Sequence, residues 1–127
     1  MNEEKKIKQF TDLIAWQEAH KLVLIVYRLT KGFPREEVFG LSSQMQRAVI
    51  SITSNIAEGF GRNGMKEKIQ FYYLAQGSLT ELKNQIIAAR DIGYLSLVDY
   101  EATMKQADCA HQLLQGLITK SKSFLKS

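Results

Sequence analysis

Three short runs in this sequence carry residue types whose spacing could do chemistry. Gly59-Phe60-Gly61-Arg62-Asn63-Gly64 matches G-x-G-x-x-G, a spacing that offers backbone amides to a pyrophosphate. That chemistry needs a strand directly before the run, and the apolar spacing upstream is helical. The run therefore reads as a connection between helices and not as a cofactor cradle. Its inner part, Gly61-Arg62-Asn63-Gly64, also fits the G-x-x-G clamp of KH domains, which requires a sheet that this pattern lacks. Arg62 and the amides opening the next helix still suit a phosphate.

Asp108-Cys109-Ala110-His111 places a carboxylate and an imidazole on one helix face, as metal sites in bundles do. A di-metal bundle needs a second such pair and carboxylates from other helices. The other histidine, His20, follows Glu18 at i+2 and points elsewhere. Cys109 and His111 are about 200° apart on a helix, too far to act as nucleophile and base. Cys109 thus reads as a small packed residue. In Asn55-Ile56-Ala57-Glu58-Gly59, Glu58 can pair with Arg62 at i+4. If this stretch is buried, Asn55 and Glu58 need partners across helices, with Gln44 and Arg47 as candidates. Gly77-Ser78 interrupts a good helix at a cost of about 1 kcal/mol, which suggests close approach of another backbone, within or between subunits. These residues call for no cofactor, no metal and no catalytic group.

The elements that would position these residues are helical. Only one proline, Pro34, interrupts the chain, so long tracts lack the strongest helix breaker. Glycines, serines and that proline divide the sequence into helices at about 12–31, 41–60, 65–92 and 96–125. Thr11 or Asp12 would cap the first, whose inward stripe is Leu13, Trp16, Ala19, Val23, Val26/Tyr27 and Thr30. Leu41, Met45, Ala48/Val49, Ile52, Ile56 and Gly59 continue the rhythm in the second. Tyr72, Ala75/Gln76, Leu79, Leu82, Ile86 and Ala89 do so in the third, which Gly93 closes. Ser96 with Asp99 resembles a capping box for the fourth. Its seam is Leu97, Tyr100, Met104, Ala107, His111, Leu114, Ile118, Ser121 and Leu125. Short connections favour an all-α, antiparallel up-down-up-down four-helix bundle, in a single domain over 1–127.

Composition narrows the function classes. With 45% hydrophobic and 24% charged residues the chain is of globular type. It carries no membrane-length apolar stretch and no secretory leader, so no membrane partner is expected. A single cysteine forbids an intrachain disulfide and fits a reducing, cytoplasmic setting. Net charge is +4, a mild basic excess that permits anionic partners. Its placement is more telling. An up-down-up-down bundle brings Lys5, Lys6, Lys8, Arg62, Lys66, Lys68, Lys120, Lys122 and Lys126 to one end, nine of 17 basic residues, against Glu3, Glu4, Glu58 and Glu67. The opposite end, with Lys31, Arg35, Glu36, Glu37, Arg90, Asp91, Asp99 and Glu101, is balanced or slightly acidic. One-sided basic charge is the footprint of phosphate binding, and solvated lysines at frayed termini are its bland alternative.

Four blocks carry a family resemblance. Phe10-x-Asp12-Leu13-x-x-Trp16-Gln17-x-Ala19 resembles the opening of the four-helix bundle proteins encoded in bacterial 23S ribosomal RNA intervening sequences. Phe33-Pro34-x-Glu36-x-x-Phe39-Gly40-Leu41-x-x-Gln44-x-x-Arg47-Ala48 resembles their next block. Ser51-Ile52-x-Ser54-Asn55-Ile56-Ala57-Glu58-Gly59 and Ala75-x-Gly77-Ser78-Leu79-x-Glu81-Leu82 resemble the following two. Thr53 stands where that pattern leads one to expect proline, which should leave the helix straighter. The resemblance implies a helical bundle that assembles into a ring, a homopentamer. A related bundle, the accessory protein of diversity-generating retroelements, binds nucleic acid through a positive surface. The resemblance implies no enzyme activity and no small-molecule substrate. Trp16, Gln44, Arg47, Asn55, Glu58, Gly59, Gly77 and Ser78 transfer as fold or assembly positions. The expectation is a non-enzymatic ring that binds RNA or DNA backbone through Arg62, Lys66, Lys68, Lys120, Lys122 and Lys126. The alternative is a structural or protein–protein interaction module with no nucleic-acid role.

Overall fold

Apolar residues recurring every three or four positions, with little proline to interrupt them, produce four helices in the computed structural model, which describes residues 6–126 and side chains as far as residue 125. They are α1 (Ile14–Thr30), α2 (Leu41–Phe60), α3 (Met65–Ile92) and α4 (Leu97–Ser123). Each packs on two neighbours, α1–α2, α2–α3, α3–α4 and α4–α1, and the diagonal pairs do not meet. Side-chain bonds set the directions. Gln46 near the start of α2 donates to Thr30 at the end of α1 over 3.0 Å, and Ser51 meets Ser78 of α3 at 2.8 Å. Gln76 of α3 donates to Gln115 of α4 at 2.8 Å, and Gln106 of α4 returns to the Glu18 carbonyl of α1 at 2.9 Å. The result is the expected antiparallel four-helix bundle.

The interior is aliphatic. Leu22, Val26, Met45, Val49, Ile52, Ile56, Leu79, Leu82, Ile86, Leu114 and Ile118 are wholly enclosed. In α3 the buried set also includes Gln85, whose Oε1 has no partner among the described residues. The α3–α4 turn forms as its sequence dictates. Gly93 takes the left-handed conformation at φ 100°, and Ser96 Oγ accepts the Asp99 N–H at 3.1 Å. α2 runs unbroken through Thr53, whose hydroxyl donates back to the Ile50 carbonyl at 3.1 Å.

Sequence expectations need correction in α1 and α4. α1 starts at Ile14, because residues Phe10–Asp12 form a separate 3-10 turn. Asp12 accepts the N–H groups of Lys8 and Gln9, so neither it nor Thr11 caps α1. Of the alternatives Val26 and Tyr27, Val26 is buried and Tyr27 exposed, and Leu22 and Leu29 join the stripe. In α4, Leu97 and Leu125 are exposed, and Thr103 and Ala110 join the seam instead.

For the glycines, the structure bears on close approach within the chain, not between subunits. Nothing lies within 4 Å of a Cβ built on Gly77, so no backbone of this chain approaches it closely. The close approach is at Gly59, where a Cβ would stand 2.8 Å from Tyr72 Cε1 and 3.0 Å from Phe71 Cβ. The Tyr72 ring is buried and cannot swing clear. Gly59→Ala should therefore destabilise the fold by about 1–3 kcal/mol, as overpacking does. Gly77→Ala should stabilise it by about 0.5–1 kcal/mol through helix propensity. Chemical denaturation of both variants checks this pair, and the reverse order would contradict it.

Candidate nucleic-acid interface

Antiparallel packing brings the α2–α3 connection, residues 61–64, beside the end of α4, since Lys122 lies 5.0 Å from the Tyr73 ring centre of α3. α1 begins at the same end, because its last residue meets the start of α2. Lys6, Lys8, Arg62, Lys66, Lys68, Lys120 and Lys122 thus collect there. Lys5, Glu3 and Glu4, and the side chain of Lys126, lie outside the described residues.

These cations are held in different ways. Arg62 pairs with Glu58 at 3.2 Å, the expected i+4 contact, and its guanidinium sits 4.7 Å above the Phe71 ring. Exposed as that pair is, it contributes about 0.3–0.5 kcal/mol. Lys68 behaves otherwise than a free phosphate ligand. Its ammonium donates to the Phe60 carbonyl at 2.6 Å and lies 5.3 Å from the Phe60 ring centre. It caps the C-terminus of α2, where the helix dipole favours a cation. Lys66 and Lys120 are exposed on their helices. The G-x-G-x-x-G run spans the last turn of α2 and the connection, with no strand anywhere among the described residues.

The assembly candidates are spread along the bundle. Trp16 is half-buried, stacked on His20 at 4.7 Å and met edge-on by Phe10 at 5.5 Å. Gln44 and Arg47 are exposed and line a groove with Ser51 and Glu81. They are not the partners of Asn55 and Glu58. Asn55 donates to the Ser51 carbonyl at 2.8 Å on its own helix, and Glu58 takes Arg62.

Asp108 and His111 do come together, around a residue that spacing within α4 could not reveal. Lys83 of α3 lies 2.8 Å from Asp108 Oδ1 and 2.8 Å from His111 Nδ1. An ammonium only donates, so His111 accepts at Nδ1 and carries its proton on Nε2. Cys109 turns away and its thiol approaches Glu18 at 3.7 Å. Among the described residues no three His, Cys, Asp or Glu side chains gather as metal ligands would. Burial first, then the Lys83 charge, hold His111 below the ordinary imidazole value of 6.5, with Asp108 opposing. Below that ordinary value the unfolded chain takes up the proton first, so this site loses stability as pH falls. Lys83→Met removes the repulsion and should raise the His111 pKa, read from the titration of its ring protons by NMR. An unchanged or lower value would contradict the assignment.

The opposite end is built differently. Glu37 accepts the Leu41 N–H at 2.9 Å and the Tyr94 hydroxyl at 2.8 Å, tying the α1–α2 connection to the α3–α4 turn. Both bonds favour the carboxylate, the Leu41 amide most, and draw its pKa down. Arg90 pairs with Asp91 at 2.8 Å and lies 4.4 Å from the Tyr100 ring centre. Phe39 is 96% exposed in the α1–α2 connection, and Val38 beside it in sequence and Leu97 and Val98 at the start of α4 are exposed too. No helix of the described residues is long and apolar enough to cross a membrane.

Comparison with known proteins agrees with this architecture. A solved protein of unknown function from the S23 ribosomal protein family of Bacteroides thetaiotaomicron VPI-5482 superposes with a TM-score of 0.77. The two are 19% identical, over 83% of this chain and 98% of that one, so the likeness is one of fold. No curated protein sequence matches the chain. The family model of the 23S rRNA-intervening sequence protein matches residues 11–116, from the turn before α1 through most of α4. With three helices and most of the fourth inside that match, the chain belongs to the 23S rRNA-intervening sequence protein family.

Proposed function

We propose that this chain is a non-enzymatic, ring-forming helical bundle that binds RNA or DNA backbone through its basic end. The observation that carries this is the gathering of Arg62, Lys66, Lys120 and Lys122 where the α2–α3 connection meets the end of α4. Lys68 contributes charge from its capping position. Phosphate contacts of this kind release counterions, so affinity falls as salt rises. A symmetric ring multiplies one modest patch into a continuous positive surface. Membership of a family named for an intervening sequence in 23S ribosomal RNA is consistent with a nucleic-acid partner.

Titrating a structured RNA into the full chain across a salt series tests the reading. The expected result is measurable affinity at ~50 mM salt that declines steeply towards ~200 mM. No affinity at low salt, or affinity indifferent to salt, overturns it. Light scattering tests the ring, which predicts about five times the 14.5 kDa chain mass and fails on a monomer.

A second reading is a protein-interaction module. It is favoured by the apolar exposure of Phe39, Val38, Leu97 and Val98 at the other end, since exposed apolar side chains beyond single scattered ones commonly mark a contact site. It predicts that neutralising the basic end leaves partner binding intact.

A further inference from the structure

The basic end carries aromatic rings as well as charge. On α3 the Tyr72 side chain points into the core, 2% exposed. At 100° per residue its neighbours Phe71 and Tyr73 emerge on opposite flanks of the helix. Phe71 turns toward α2 and lies under Arg62, and Tyr73 turns toward α4 and lies under Lys122. Between these two cation–aromatic pairs the outer face of α3 presents Lys66, Gln70 and Leu74, all exposed. The strip therefore runs across one helix width, about 10–12 Å, with a ring and a cation at each edge.

We infer that this strip binds single-stranded nucleic acid in preference to duplex, by stacking unpaired bases on Arg62 and Tyr73 while Lys66 and Lys122 meet the phosphates. The inference rests on the nucleic-acid reading above and names its substrate class. Phosphate contacts alone are satisfied by lysines and do not distinguish single strand from duplex. Planar groups add affinity only where base faces are free, because a duplex keeps its bases stacked inside. Arg62 is suited to this. Phe71 supports one side of its guanidinium and Glu58 fixes its edge, yet the side chain stays 42% exposed. Tyr73 is 41% exposed beside Lys122, which leaves ring surface available. Glu67 is the one carboxylate in the first turn of α3, and it is exposed to solvent.

The test compares a labelled oligouridine with an RNA duplex of matched length on the full chain at one salt concentration. The oligouridine should bind at least about fivefold more tightly. Tyr73→Leu, which preserves net charge, should cost about five- to tenfold on the oligouridine and leave duplex affinity and the salt slope unchanged, and Arg62→Lys should weaken the oligouridine by more than it weakens the duplex. Thermal melting confirms that each variant folds, and the two substitutions act at independent sites. Equal or tighter duplex binding overturns the single-strand inference alone, as does an equal loss on both probes. Failure to bind either probe at ~50 mM salt overturns the nucleic-acid reading itself.

Discussion

Replacing Arg62, Lys66, Lys120 and Lys122 together by glutamine is expected to weaken RNA binding by at least about a hundredfold at ~50 mM salt. The same variant should flatten the salt dependence by about one unit of log–log slope per residue removed. The magnitude follows from counterion release. Four phosphate contacts change affinity by roughly two decades between ~50 and ~200 mM salt, because each contributes a slope of about 0.7–0.9. None of the four supports the core. Arg62 gives up one exposed ion pair and its place over Phe71, and the other three are surface side chains. Melting should therefore stay near that of the parent chain. Equilibrium binding across a salt series checks the loss, and an unchanged slope would show that these cations meet no phosphate.

The largest stability effect is expected at Leu82→Ala. Leu82 lies on the inward stripe of α3 with no exposed surface, among the wholly enclosed aliphatic residues of the core. Truncation removes transfer free energy and leaves a cavity that a close-packed bundle fills only in part. The cost is about 2–5 kcal/mol, a large share of the 5–15 kcal/mol typical of a folded domain. Leu74, eight residues earlier on the same helix and 56% exposed, supplies the control. Leu74→Ala should change stability by less than about 0.5 kcal/mol. Denaturant midpoints measure both, and a Leu82→Ala loss below about 1 kcal/mol would contradict the packing described.

Much of this architecture is readable in the sequence, because helix periodicity is a local signal and the short connections leave few topologies. The boundaries of α2 and α3, the Gly93 turn and the Ser96 cap follow from residue types acting within a few positions. Contacts between helices are less legible. Asp12 has the right chemistry for a helix cap but is claimed by a preceding 3-10 turn that periodicity does not register. Gly59 and Gly77 look alike in sequence. Only the position of the Tyr72 ring, supplied by another helix, makes one indispensable and the other open.

The basic end shows the same division. Topology alone brings its lysines together, so charge asymmetry is foreseeable once four antiparallel helices are inferred. The separate fates of those lysines are not. Lys68 turns inward onto the Phe60 carbonyl, Lys122 settles over Tyr73, and Arg62 is clasped between Glu58 and Phe71. The Lys83–Asp108–His111 cluster depends on the register between α3 and α4, which neither helix encodes by itself. That register is recoverable in retrospect from the antiparallel pairing of Tyr73 with Lys122 and Arg90 with Tyr100.

Photo-crosslinking of bound RNA to the full chain, with the attached residues mapped by mass spectrometry, tests the central claim most directly. If the basic end is the binding surface, crosslinks fall on the end of α2, the first three turns of α3 and the last turn of α4, with Tyr73 and Phe71 prominent among the aromatic sites. Crosslinks concentrated on Phe39, Tyr94 or Tyr100 at the opposite end would contradict it.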